Sequence, residues 1–241
     1  MNIVIIGTGY VGLVTGVGLA SLGNTVDFID LDENKIKDLS SKKITFYEPG
    51  LEEYFNDEET FKRMSFSSDY ASIEWDKIDI VFVCVQTPNN IETNSVDTKF
   101  LESAIKEINN VNNNDLVITV KSTIPPYEIE KVCEKVGMDS SKLTFNPEFL
   151  REGTAVEDFF KPDRIVLGGT DTEKLTKLKE LYSGFDCEII TTDSISSQLI
   201  KYLANTYLPL RLSFVNEATR LIDYSGGNLD DVLKGVGLDN R

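Results

Sequence analysis

Histidine is missing altogether from these 241 residues. That excludes a Ser-His-Asp triad, a Cys-His pair and any histidine metal site built from this chain alone. General base chemistry must then fall to a carboxylate, a lysine, a tyrosine, a thiol or water. Cysteine is scarce as well. Cys84, Cys133 and Cys187 are odd in number, far apart and form no CxxC pair, which points to a reduced, cytoplasmic protein with no disulfide and no metal site. Basic residues are outnumbered, 24 against 40 acidic ones, for a net charge of −16. So acidic a chain lacks the cationic face that nucleic acid binding requires. No apolar run approaches the ~18 residues of a membrane span. No lysine or arginine precedes Lys35, so no typical signal peptide is expected either.

What the chain does have is alternation. Short apolar strands are expected at 2–6, 25–30, 79–85, 116–120, 143–145, 164–167 and 188–190, with helices between them at 11–22, 33–39, 98–108, 125–135 and 172–182. Nearly continuous apolar strands such as DIVFVCV at 79–85 imply a parallel sheet covered on both faces. The texture changes at Asp193. From 194 to 224 there is no glycine, and Ile195, Leu199, Leu203, Leu210, Phe214 and Leu221 recur at helical spacing. Asp193 or Ser194 is the expected N-cap and Gly226-Gly227 the stop. Such a helix would span roughly 45 Å, too long for a layer covering the sheet, and Pro209 should kink it. The expected fold is α/β: a Rossmann-like, doubly wound parallel sheet over 1–192, then a long central helix opening a second region over 193–241. The chain reads as the front part of a longer one.

Gly7-Thr8-Gly9-Tyr10-Val11-Gly12 ends the first strand and opens the first helix, and Asp30 stands eighteen residues after Gly12 at the end of the second strand. This is the full context of a dinucleotide fingerprint. Gly7 permits the tight turn, Gly9 lets the backbone approach a pyrophosphate at the helix N-terminus, and Gly12 lets helix and strand pack closely. Asp30 would accept from a ribose hydroxyl and repel a 2′-phosphate, which favours NAD over NADP. A tight turn without ligand and a solvated aspartate are the plain alternatives.

Three further polar segments lie at the carboxyl ends of strands, where open α/β sheets bind ligands. They are Thr87-Pro88, Lys121-Ser122-Thr123, and Asn146 through Thr154 with Glu148, Phe149, Leu150, Arg151 and Glu152. Lys201 and Asn205 share a face of the long helix. Read without a family, Glu148 and Glu152 could be loop and helix-start acids. Lys201 and Asn205 could be a solvated face, Arg164 could pair with Asp163 or Asp158, and YEPGLEE at 47–53 reads as a helix start.

The segments GTGYVG at 7–12, FIDLDENKI at 28–36, YEPGLEE at 47–53, VKSTIPP at 120–126, NPEFLREGTAVEDFFKPDRIVLGG at 146–169 and KYLANTYLPLRLSFVNE at 201–217 resemble the UDP-glucose 6-dehydrogenases of the UDP-glucose/GDP-mannose dehydrogenase family. The resemblance covers essentially the whole chain, in order. It implies two NAD-dependent oxidations at C6 of UDP-glucose, giving UDP-glucuronate. GDP-mannose dehydrogenases share NPEFLREG but usually not PDR and are the nearest rival. The resemblance places Gly7, Gly9, Tyr10, Val11 and Gly12 on the pyrophosphate, Asp30 and Lys35 on the adenosine ribose, and Thr87 and Thr123 beside the nicotinamide. It has 148–152 cradle the sugar, with Glu152 also facing the cofactor. The same resemblance implies that Glu148 activates water against a thioester, that Thr123 belongs to the catalytic set, and that Lys201 and Asn205 stabilise oxyanions. Since the ligands are anions and the protein is acidic, the site must be locally positive, with Lys121, Arg151, Arg164, Lys201 and Arg211 as its cations.

The chain departs from the family in lacking its glycine-rich segment with the nucleophilic cysteine and its second, uridine-diphosphate-binding domain. Cys84, inside the most apolar strand, is expected to be buried with a raised pKa. All three cysteines are read as structural. A catalytically silent NAD-binding module is therefore a second reading, and a β-hydroxyacid-type dehydrogenase a third, though such enzymes have no NPEFLREG loop. The apolar stripe of the long helix implies a homodimer.

Overall fold

The first apolar run, Asn2–Ile6, forms strand β1 with its last four residues buried, at the centre of the sheet that the later strands extend on either side. In the computed structural model, which describes residues 1–92, 95–111 and 116–239, β1 leads into α1 (Tyr10–Ser21), β2 (Thr25–Ile29), α2 (Glu33–Ser40), α3 (Leu51–Asn56) and α4 (Glu58–Phe61). Then come β3 (Met64–Ser67), β4 (Ile80–Val83), a ribbon of β5 (Asn89–Asn90) and β6 (Ser95–Val96), α5 (Lys99–Asn109), β7 (Val117–Val120) and α6 (Pro126–Val136). The remainder is β8 (Leu143–Phe145), α7 (Ala155–Phe160), β9 (Arg164–Gly168), α8 (Thr172–Leu181), β10 (Glu188–Thr192), α9 (Ser194–Ser225) and α10 (Leu229–Gly237).

Among the described residues, eight strands make one sheet in the order β10-β9-β8-β7-β4-β1-β2-β3. The order reverses between β1 and β4, and that switch point is where such sheets open a crevice. Neighbours run parallel except β8 and β9, which meet through a single antiparallel pair, Phe145 with Gly168. The sequence leads one to expect an all-parallel sheet. The exception arises because residues 146–163 reach across to α1, where Phe159 packs against Gly18, instead of lying over β8. Two apolar clusters cover the two faces. One is built on α1 with Phe28, Phe55 and Phe159, the other on α5 and α6 with Val81, Val83 and Ile118. Strand β3 escapes the sequence reading because it is an edge strand of four residues, MSFS, with only Met64 buried.

The chain divides into two compact units, Met1–Lys201 and Tyr202–Arg241. The first takes in the opening turns of α9, where Ser197, Gln198 and Lys201 are buried. Asp193 is the N-cap, its carboxylate accepting from the amide of Ser196 at 2.8 Å. Gly168 makes this docking possible, since a Cβ there would lie 2.0 Å from Ser197 Oγ. In the second unit α9 continues through Pro209 as one helix, and α10 comes after it. Leu210, Phe214, Leu221 and Tyr224 are exposed there. No helix among the described residues is long and apolar enough to cross a membrane.

Candidate active site

At the switch point lies a cleft of about 350 Å³, within the range of small-molecule sites. Gly7, Gly9, Tyr10, Val11, Asp30, Lys35, Thr87, Thr123 and Glu148 all line it, together with Cys84, Lys121 and Ser122. The glycines act differently. Gly7 has φ +96°, and a Cβ there would meet the carbonyl oxygen of Cys84 at 2.7 Å. A Cβ on Gly12 would lie 1.9 Å from the carbonyl oxygen of Gly7, so only glycine allows α1 to start so close to β1. A Cβ on Gly9 would meet no protein atom within 4 Å. That open space lies at the N-terminus of α1, whose unpaired amides suit a phosphate.

Asp30 is held ready at the end of β2. Its Oδ2 accepts from the amide and hydroxyl of Thr8, at 2.8 and 2.7 Å, and its Oδ1 from the amide of Asp32 at 3.0 Å, while Lys35 Nζ stands 3.5 Å away. Burial pushes this carboxyl up, but the Thr8 and Asp32 bonds and Lys35 outweigh it and hold the group below the usual range. Across the cleft, the hydroxyl of Thr87 donates to the carbonyl of Thr123 at 2.7 Å, and Ser122 Oγ donates to the carbonyl of Val85 at 2.6 Å. These bonds strap the 121–123 loop onto the segment after β4. Lys121 is buried, its Nζ donating to Asn146 Oδ1 at 3.0 Å, and burial pushes its ammonium pKa down.

Glu148 joins the cleft to α9. Its Oε1 accepts from Lys201 Nζ at 2.7 Å and its Oε2 from the amide of Leu150 at 2.7 Å. The ring of Phe149 lies under the guanidinium of Arg164 at 3.8 Å and near Lys201 Nζ at 5.4 Å, placing both cations against one aromatic face. Arg164 also stands 3.8 Å from Asp163. Arg151 turns to Asp158, its Nη2 donating at 2.5 Å. Gly12, Phe149, Leu150, Arg151, Glu152 and Lys201 do not line the cleft, and Glu152 is exposed. Asn205 lies one turn beyond Lys201 on α9 and is exposed, within the second unit.

None of the three thiols has a depressed pKa, and Cys84 and Cys133 are buried. Burial pushes Cys84 up to about 12 and Cys133 up to about 11, and raises Cys187 as well. Two residues of the site escape the sequence reading. Thr8 occupies an x position of the glycine motif and carries no signal of its own. Glu48, in the segment read as a helix start, is buried and bonded to Tyr10, Gly153 and Ala155.

Residues 1–186 match the description "UDP-glucose/GDP-mannose dehydrogenase family, NAD binding domain", and residues 195–241 match the central domain of the same family. The chain is 38% identical over 246 residues to the UDP-glucose 6-dehydrogenase of Rickettsia felis, covering 100% of this chain and 54% of that protein. It is 36% identical over 249 residues to a UDP-glucose 6-dehydrogenase of Bacillus subtilis, covering 100% of this chain and 56% of that one. The fold is similar to a UDP-glucose dehydrogenase from Pyrobaculum islandicum, at TM-score 0.88 and 34% identity, covering 100% of this chain and 57% of that one. It is also similar to a GDP-mannose dehydrogenase from Pseudomonas aeruginosa, at TM-score 0.90 and 28% identity, again covering 100% and 57%. The chain thus spans a little over half the length of these relatives.

Proposed function

The chain belongs to the UDP-glucose/GDP-mannose dehydrogenase family, and on that premise we propose that it carries the NAD site and part of the acid–base machinery of a UDP-glucose 6-dehydrogenase. The observation that supports this most is the Lys201–Glu148 pair. It is a nearly dry ion pair reaching from α9 to the wall of the dinucleotide cleft. A solvated helix face would not hold a lysine at 6% side-chain exposure.

Held in this cleft, NAD would supply the hydride acceptor for oxidation at C6 of the sugar. The open backbone at Gly9 and the N-terminus of α1 receive the pyrophosphate, and Asp30 with Lys35 receives the adenosine ribose. Thr87 and Thr123 flank the nicotinamide end. Lys201 stabilises the negative charge that develops on the C6 oxygen as its proton passes to water. Glu148 takes a proton from the water that releases the acid. The second oxidation needs an activated thiolate, and no thiol with a raised pKa supplies one, so these residues by themselves are not expected to form UDP-glucuronate.

The test is NADH formation by the full-length protein with UDP-glucose and with GDP-mannose. UDP-glucose should be turned over, and Lys201→Ala should lower kcat by about 10²–10³-fold. Glu148→Gln should accumulate the acyl-enzyme, visible as a mass increment. Turnover of GDP-mannose alone overturns the substrate assignment, and unimpaired acid release by Glu148→Gln removes Glu148 from the chemistry.

A further inference from the structure

Glu48 has no part in the chemistry above, yet its side chain is buried, at 4% exposure. A carboxylate in such a place must be well supplied with donors. Among the described residues no lysine or arginine pairs with it. Its Oε2 accepts from the hydroxyl of Tyr10 at 3.0 Å and from the amide of Gly153 at 2.9 Å, and its Oε1 from the amide of Ala155 at 2.7 Å.

The donors come from two different parts of the site. Tyr10 opens α1, and it lines the dinucleotide cleft with its neighbours Gly9 and Val11. Gly153 and Ala155 close the segment that carries Glu148. The single proton of the Tyr10 hydroxyl is shared between Glu48 and the carbonyl of Arg151 in that segment, which lies at 2.8 Å. The segment's other end is pinned independently. Asn146 donates through Nδ2 to the carbonyl of Val166 at 3.0 Å, and its Oδ1 accepts from Lys121 and from Tyr182. Glu148 therefore sits on a loop tied at both ends, and the tie on the cleft side is Glu48 together with the Tyr10 hydroxyl. Only a carboxylate of this length satisfies that tie. Glutamine offers a single acceptor oxygen, and its amide nitrogen would face a backbone N–H, donor against donor.

We propose that Glu48 is a positioning residue that couples the dinucleotide loop to the loop carrying Glu148, so that the order of residues 147–155 depends on the dinucleotide site. The proposal rests on the assignment of those two loops to cofactor and sugar. Glu48 then governs affinity for the nucleotide sugar, while the contacts assigned to NAD, those of the 7–12 backbone, Asp30, Lys35, Thr87 and Thr123, do not include it.

The test compares Glu48→Gln and Tyr10→Phe with the wild type in the full-length protein. The readouts are NAD affinity by calorimetry, amide hydrogen exchange over 147–156 with and without NAD, and KM for UDP-glucose. Glu48→Gln should speed exchange at Gly153 and Ala155 by about tenfold and raise KM by about tenfold, with NAD affinity within roughly threefold of wild type. Tyr10→Phe leaves both amides on the carboxylate. It should abolish the additional protection that NAD confers on 151–156 while leaving exchange without NAD within roughly threefold. Unchanged exchange in Glu48→Gln overturns the proposal. So does an equal fall in NAD and sugar affinity, or intact NAD-induced protection in Tyr10→Phe. Should Glu48→Gln not fold, Glu48→Asp, which keeps the charge but falls short of the two amides, takes its place and should likewise speed exchange at Gly153 and Ala155; unchanged exchange there overturns the proposal. Should the wild type oxidise no nucleotide sugar, the substrate reading fails while the exchange arm still decides the role of Glu48.

Discussion

Asp30 is fixed at the end of β2 by three hydrogen bonds and an ion pair. Burial would by itself raise its carboxyl, but the Thr8 and Asp32 bonds and Lys35 prevail, and the folded value lies below the usual one. A group depressed on folding stabilises the protein fully above its unfolded value of about 4 and loses that contribution as pH falls through the folded value. Asp79 and Asp158 are depressed as well. Thermal melts of Asp30→Asn between about pH 5 and pH 2 should therefore lose stability less steeply than wild type, and parallel slopes would contradict this account. For binding, Asp30→Ala should weaken NAD by about tenfold and narrow its advantage over NADP, because the repulsion of a 2′-phosphate goes with the carboxylate. Calorimetry with both dinucleotides reads this out. An unaltered ratio would place the selectivity elsewhere.

At the level of elements, the decisive contact is between β9 and α9. Lys201 reaches Glu148 because the first turn of α9 docks against the end of β9, where Gly168 presents no side chain to Ser197. Gly168→Ala should cost about 1–3 kcal/mol by overpacking and should move Lys201 away from Glu148. Adding Ser197→Gly should restore part of the loss, since the two positions share one contact. Denaturant unfolding of the single and double variants measures the coupling, and strict additivity would mean that the contact does not hold the helix. The start of α1 obeys the same logic. Gly12→Ala would drive a Cβ to 1.9 Å from the Gly7 carbonyl oxygen, so the cleft would deform before it bound anything.

The sheet unit has a well-buried core, whereas the second unit buries Ile222 but leaves many of its apolar residues in the open. Leu210, Phe214, Leu221 and Tyr224 are exposed along α9, and Val232 and Val236 along α10. An apolar surface of this kind marks an association site. We expect the protein to self-associate through α9 as a two-fold dimer. Sedimentation at tens of micromolar should show dimers, and Phe214→Glu with Leu221→Glu should shift them to monomers. A wild type that stays monomeric would refute the assignment.

Much of this was settled by local chemistry. Apolar runs such as NIVII and DIVFVCV can be satisfied only inside a covered parallel sheet. The glycine motif at 7–12 allows a strand–helix turn that other residues would block. The glycine-free stretch from 194 allows an uninterrupted helix. These are properties of neighbouring residues, and they read directly from their order. Tertiary structure decided what depends on residues far apart in the chain. Strand β3 exists because β2 offers it an edge, and α7 exists because Phe159 finds Gly18 and Glu48 caps Ala155. The opposed pair of β8 and β9 reflects where 146–163 had to travel. Glu48 itself lies 105 residues from Gly153. Nothing in YEPGLEE announces that its first glutamate, and not its last, will be buried. That outcome depends on which backbone amides the fold delivers to a carboxylate with no water left to receive it.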